Sequence, residues 1–115
     1  LVHDMGGSCQ VTREDNQGVA CSAGEQCFYV QRCEGLADTF VQGDASGTEW
    51  KTPPLWGIGL VQTVNANSTF LHDGRARTIE EAILWHGGEA EQIKQAFMAL
   101  PQEQRSQLLE FLKSL

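Results

Sequence analysis

Residues Phe70 to His86 read FLHDGRARTIEEAILWH, and the second half of that stretch decides the fold class. Thr78 is a good helix N-cap, and Glu81 three residues on completes a capping box. Ile79, Ala82, Ile83 and His86 then recur at i, i+3, i+4 and i+7, one face of a helix. Gly87-Gly88 stops it, as a left-handed C-cap does. A second helix is expected from Glu89 to Leu100, with Ile93, Ala96, Phe97 and Leu100 on its apolar face. Pro101 breaks it and suits the first turn of a third helix carrying Leu108, Leu109, Phe111, Leu112 and Leu115. Short connections between helices predict a compact helical cluster. The expected fold class is mainly α, a small helical cluster behind a loop-rich, disulfide-bearing N-terminal segment.

Upstream, Thr52-Pro53-Pro54 forces extended backbone, and Leu55 to Val64, LWGIGLVQTV, reads as a short helix or a buried extended run. Turn signals fall at Gly43-Asp44 and Ser46-Gly47. Cys9, Cys21, Cys27 and Cys33 crowd into Ser8 to Glu34, where Cys27-Phe-Tyr-Val-Gln is the only plausible strand. No C-x-x-C or C-x-x-C-H occurs. An even count in a loop-rich stretch predicts two disulfides in an exported protein, with three pairings open. Free thiols or a metal site are the less favoured uses.

With 115 residues, one domain spanning 1–115 is expected. A net charge of −7 argues against nucleic acid, whose binders present a basic face. No apolar run approaches the roughly 18 residues of a membrane span. The chain opens on Leu1 rather than Met, as expected of a processed, trimmed or excised product.

Few residues could carry chemistry. His86, on an apolar helix face, could ligate a metal or haem iron. From spacing alone, a core histidine satisfied by a carbonyl or water is the simpler reading. His72-Asp73-Gly74 reads as a turn, in which Asp73 could orient His72 or merely form an Asx turn with the histidine exposed. Arg75 and Arg77 could bind a carboxylate through their forked donors, or stand solvated. His3-Asp4 lies near a terminus, where disorder is the default. No nucleophile elbow, phosphate loop or H-E-x-x-H is present. Asp44 and Glu49 could hold calcium, but no EF-hand pattern supports it.

Four segments carry a family resemblance: LVHDMG at Leu1 to Gly6, ASGTEWKTPPLWGIGL at Ala45 to Leu60, FLHDGRARTIEEAILWHGGEA at Phe70 to Ala90, and the terminal LLEFLKSL. Together they cover somewhat under half of the chain. They resemble the C-terminal end of di-haem cytochrome c peroxidase-like proteins, closest to bacterial di-haem oxidoreductases often labelled thiol oxidoreductases. The resemblance implies a cytochrome c-like helical part over residues 52–115. It makes residues 8–34, which hold the cysteines, an insertion before the GLAD stretch Gly35 to Asp38.

In that family haem c is attached through C-x-x-C-H, and related peroxidases typically place a methionine fourteen residues after the HDG histidine. Here that position is His86. The resemblance therefore makes His86 the distal iron ligand and places His72 in the haem surroundings. Arg75 and Arg77 become candidate propionate or interdomain contacts. With C-x-x-C-H missing, this chain cannot attach haem covalently. It reads as a fragment or haem-less relative of a periplasmic or otherwise exported electron-transfer enzyme, inactive by itself. Its partner would be the missing haem-bearing portion, or a second copy meeting an apolar face. The alternative is a small disulfide-stabilised binding domain without catalytic activity.

Overall fold

A computed structural model describes residues 2–21 and 27–115. It corrects the expected fold class. Of the described residues 35% are helical and 21% lie in strands, so the protein is mixed rather than mainly α. Two separate two-stranded antiparallel sheets account for the difference.

The first sheet pairs β1 (Val2–Asp4) with β4 (Glu49–Lys51). Its register sets His3 opposite Trp50 and Asp4 opposite Glu49, and Met5 N–H extends the pairing to the Thr48 carbonyl at 2.8 Å. Three-residue strands contain too few positions for a period-2 pattern to show, and their partners lie far apart in the chain. The pairing is therefore a tertiary event with no local signal.

The second sheet is a hairpin of β2 (Cys9–Glu14) and β3 (Phe28–Cys33). The cysteine-rich segment was expected to be loop apart from residues 27–31. Instead Cys9-Gln-Val-Thr-Arg-Glu is a full strand partner. The Cys9–Cys33 disulfide joins directly opposed residues at the open end, and Cys21–Cys27 closes the far end. Asp15 Oδ1 accepts from Gln17 N and Val19 N, both at 2.9 Å, and turns the chain beyond β2. Glu14, only 8% exposed, pairs with Arg32 at 2.7 Å and accepts from the Thr12 hydroxyl at 2.7 Å. An acidic residue facing inward hides the alternation of β2 from a hydropathy reading.

The C-terminal helices follow the expected order. α1 (Val61–Val64) is one turn preceded by a 3-10 turn at Ile58–Leu60. α2 (Ile79–Trp85) starts at Thr78, whose hydroxyl accepts from Glu81 N at 3.0 Å. Glu81 reaches back to accept from Arg77 N at 2.7 Å, one residue earlier than a standard box. α2 ends one residue sooner than its apolar spacing suggests: His86 is an extended C-cap at φ −64°, ψ 135°. Of the glycine pair, only Gly88 is left-handed.

α3 (Glu91–Ala99) buries Phe97, and α4 (Gln102–Lys113) follows Pro101. The end of α4 lies on the 55–60 turn, where Gly57 N–H donates to the Leu115 carbonyl at 2.6 Å. A side chain at Gly59 would overlap the Lys113 carbonyl, so only glycine allows this approach.

The core is small. Among the described residues Met5, Leu36, Ala37, Ala76 and Phe97 are the buried apolar ones. Leu55, Trp56, Leu60, Val64, Ile93 and Phe111 remain exposed, Trp56 by 82%. The radius of gyration is 17.9 Å, against about 13 Å for a compact chain of this length. α4 packs against the Ile58–Leu60 turn, and α2, α3 and α4 make no extensive contact with one another, so they do not close into the expected cluster.

Candidate functional site

All three histidines of the chain line one cavity of about 700 Å³. Its apolar wall comes from Pro53, Pro54, Leu55, Trp56, Ile58 and Phe70, with Met5 and Trp50 beside the histidines. That volume lies within the range of small-molecule and cofactor pockets.

His86 reaches the cavity because α2 ends at it. The last helical turn leaves the Ala82 carbonyl free, and His86 Nδ1 lies 2.7 Å from it. A carbonyl only accepts, so Nδ1 carries the proton in the neutral ring. Nε2 is left with a lone pair. A carbonyl that fixes the proton on one ring nitrogen leaves the other able to bind a metal.

His3 is the site residue that sequence reading left aside as a terminal residue. β1 orders it: Nδ1 lies 2.6 Å from Thr52 Oγ1, and Nε2 lies 2.8 Å from Met5 Sδ. Its ring is parallel to that of His86 within 4°, with centroids 6.0 Å apart. The Gly87-Gly88 pair makes this approach possible. A Cβ on Gly88 would come within 2.6 Å of the Asp4 carbonyl and 2.7 Å of Gly6 N. The glycines that stop α2 are also the crossing point that carries His3 to His86. His3-x-Met5 along a strand places both side chains on one face. That spacing was the available signal, but it means nothing until β4 makes residues 2–4 a strand.

His72 is held by Trp50, ring on ring, with centroids 3.5 Å apart and planes within 11°. The proposed orienting carboxylate is engaged elsewhere. Asp73 accepts from Arg75 N at 3.1 Å and from Arg75 Nε at 2.6 Å. Burial pushes the Asp73 carboxyl up, but the hydrogen bonds from Arg75 and its charge outweigh burial and hold it below its ordinary value. Arg75 also donates to the Gly35 carbonyl and covers the Trp85 ring at 4.8 Å. It therefore ties the HDG turn to the GLAD stretch and to α2. Arg77 pairs weakly with Glu81 at 3.5 Å, its side chain 82% exposed. Neither arginine lines the cavity.

All four cysteines are in disulfides, which leaves none for a thioether bond to haem. Among the described residues no group of three or more His, Cys, Asp or Glu side chains is placed to hold a metal. No helix among them is long and apolar enough to cross a membrane.

His86 thus lines a largely apolar cavity from the end of α2. The chain belongs to the family described as "di-haem oxidoreductase, putative peroxidase", whose profile matches residues 1–115. No curated protein and no solved structure matches it. Family and disulfides together point to an exported protein.

Proposed function

We propose that this chain forms the distal side of a haem pocket in a di-haem oxidoreductase, located in the periplasm, and serves electron transfer through the iron. The observation that carries the reading is the His86 bond to Ala82, which leaves Nε2 as the nitrogen that would hold the iron. The residues fit the group in two respects, a prepared ligand and an apolar wall with Trp56 open to cover a flat ring. They do not fit covalent attachment, which would come from a C-x-x-C-H outside these residues.

Haem bound here supplies one-electron chemistry. The chain's own part is to offer His86 Nε2, to exclude water with Pro53, Pro54, Leu55 and Trp56, and to hold His72 against Trp50 nearby. Arg77 is the arginine still open to a propionate or interdomain contact, because Arg75 already joins Asp73, Gly35 and Trp85. The haem-bearing portion is then the natural cover for the exposed apolar surface.

A second reading rests on that same surface. A disulfide-braced domain with so much open apolar area would serve as a binding module. Haemin added to the purified chain separates the two. The haem reading expects a Soret band with an imidazole ligand-field signature, lost in His86→Ala. An unchanged spectrum in that variant refutes the ligand assignment. A stable, monodisperse chain that binds no haemin refutes the haem reading and favours the binding module.

A further inference from the structure

We propose that Lys51 and His72 bind a carboxylate at the Trp50 end of the cavity, so that the site takes an apolar body carrying a carboxylate. The chain as a whole is acidic, with a net charge of −7, yet the cavity inverts that balance. Among the described residues no Asp or Glu lines it, and Lys51 is the only Lys or Arg that does. A cleft with low-dielectric walls and one sign of charge concentrates its field on an ion of the opposite sign.

His72 lies ring on ring against Trp50, and Lys51 is the next residue of β4. Strand alternation starts the Lys51 side chain away from Trp50. Its exposed four-carbon stem lets the ammonium follow a carboxylate at the cavity mouth. Among the described residues neither Lys51 Nζ nor a His72 ring nitrogen has a hydrogen-bond or ion-pair partner, and Trp50 Nε1 is buried without an acceptor. A lysine offers three donors and a neutral imidazole one, so donors stand in excess at this wall. The adjoining acids are engaged: Asp73 by Arg75 at 2.6 Å, Asp4 by Gly6 N–H at 2.6 Å, and Glu49 by the Ser46 hydroxyl at 2.9 Å. Leu71, just before His72, is the one described non-glycine residue with positive φ, at 71°. Such strain persists only where the surroundings fix the backbone, so the position of His72 is imposed by the fold.

Under the haem reading the carboxylate is a propionate, and that identification rests on the reading. The charge pattern of the cavity does not, and a free aryl carboxylate presents the same chemistry. Arg75 and Arg77, which the family resemblance offers for this role, line no part of the cavity.

The test compares haemin with its dimethyl ester, and 2-naphthoate with 2-naphthylmethanol, by calorimetric titration of the whole chain. The acid should bind about fivefold tighter than its neutral analogue, the scale of one partly exposed ion pair, and the difference should shrink as salt rises. Lys51→Met should remove most of that preference while binding the neutral analogue as wild type does, and Lys51→Arg should keep it. His72→Phe, which retains a ring over Trp50, should reduce the preference about twofold. No preference for the acid in either pair overturns the proposal, as does an undiminished preference in Lys51→Met or His72→Phe. A preference for naphthoate in a chain that binds no haemin upholds the carboxylate site and refutes the haem reading. Haemin and its ester bound equally, with no preference for naphthoate, refutes only the carboxylate site.

Discussion

Gly88→Ala tests the crossing that builds the site. Gly88 has φ +53°, and a Cβ there would meet the Asp4 carbonyl at 2.6 Å, Asp4 Oδ1 at 2.6 Å and Gly6 N at 2.7 Å. Two of these are backbone atoms that cannot swing away. Forcing alanine into the left-handed region costs roughly 1–2 kcal/mol. The overlap adds roughly 1–3 kcal/mol, as overpacking does. A smaller unfolded-state entropy returns about 0.4–1 kcal/mol. The net loss is about 2–4 kcal/mol, which is roughly 8–16 °C in Tm at about 4 °C per kcal/mol for a domain of this size.

Gly43→Ala is the control. Gly43 has φ +62° but nothing within 4 Å of a built Cβ, so it should lose only about 1 kcal/mol, from the backbone alone. Urea unfolding of both variants, with disulfides intact, measures the difference directly. Gly88→Ala should also separate the His3 and His86 resonances from their wild-type positions, because β1 must move off the end of α2. If both alanines cost the same, the crossing is not a tight contact and the pairing of His3 with His86 loses its structural basis.

Three further outcomes follow from the same structure. Thr78→Ala removes the hydroxyl that accepts from Glu81 N and should cost about 1 kcal/mol, with faster amide exchange at the start of α2 as the local readout. The Arg32 hydrogen bond, followed by that of Thr12, holds the Glu14 carboxyl below its ordinary 4.5. A lowered native pKa means its stabilisation is complete above 4.5 and disappears as pH falls through the native value. The acid limb of a stability–pH curve should therefore flatten in Arg32→Gln, and an unchanged limb would contradict the pairing. Replacing Cys9 and Cys33 by serine opens a loop with a sequence separation of 24, worth about 3.5 kcal/mol on the chain-entropy estimate. The shorter Cys21–Cys27 loop, with a separation of 6, should cost about 2 kcal/mol. Denaturant midpoints of the two double variants should fall in that order.

The disulfide cross-links were legible as a class but not as a pairing. Four cysteines in one stretch imply bridges, whereas the choice among three pairings depends on strand register, and register is set by β3 facing β2. The fold class was misread for a related reason. Helices announce themselves locally through caps and a 3.6-residue period, as Thr78, Glu81 and Pro101 do. Strands of three residues, or one turned inward on a salt-bridged Glu14, do not.

By itself the sequence determined the helices of the last third, the helix-end placement of His86 and the acidic, cysteine-bridged character of the chain. These depend on neighbours within four residues, on short motifs or on composition. Only the tertiary structure decided that His3 and Met5 belong with His86, that Trp50 holds His72, and that Arg75 serves the fold and not the cavity. Each of those contacts joins residues distant in sequence or turns on which neighbour a side chain meets. They exist because strand pairing and a glycine crossing lower the free energy of the folded chain. Neither leaves a mark on any one stretch of it.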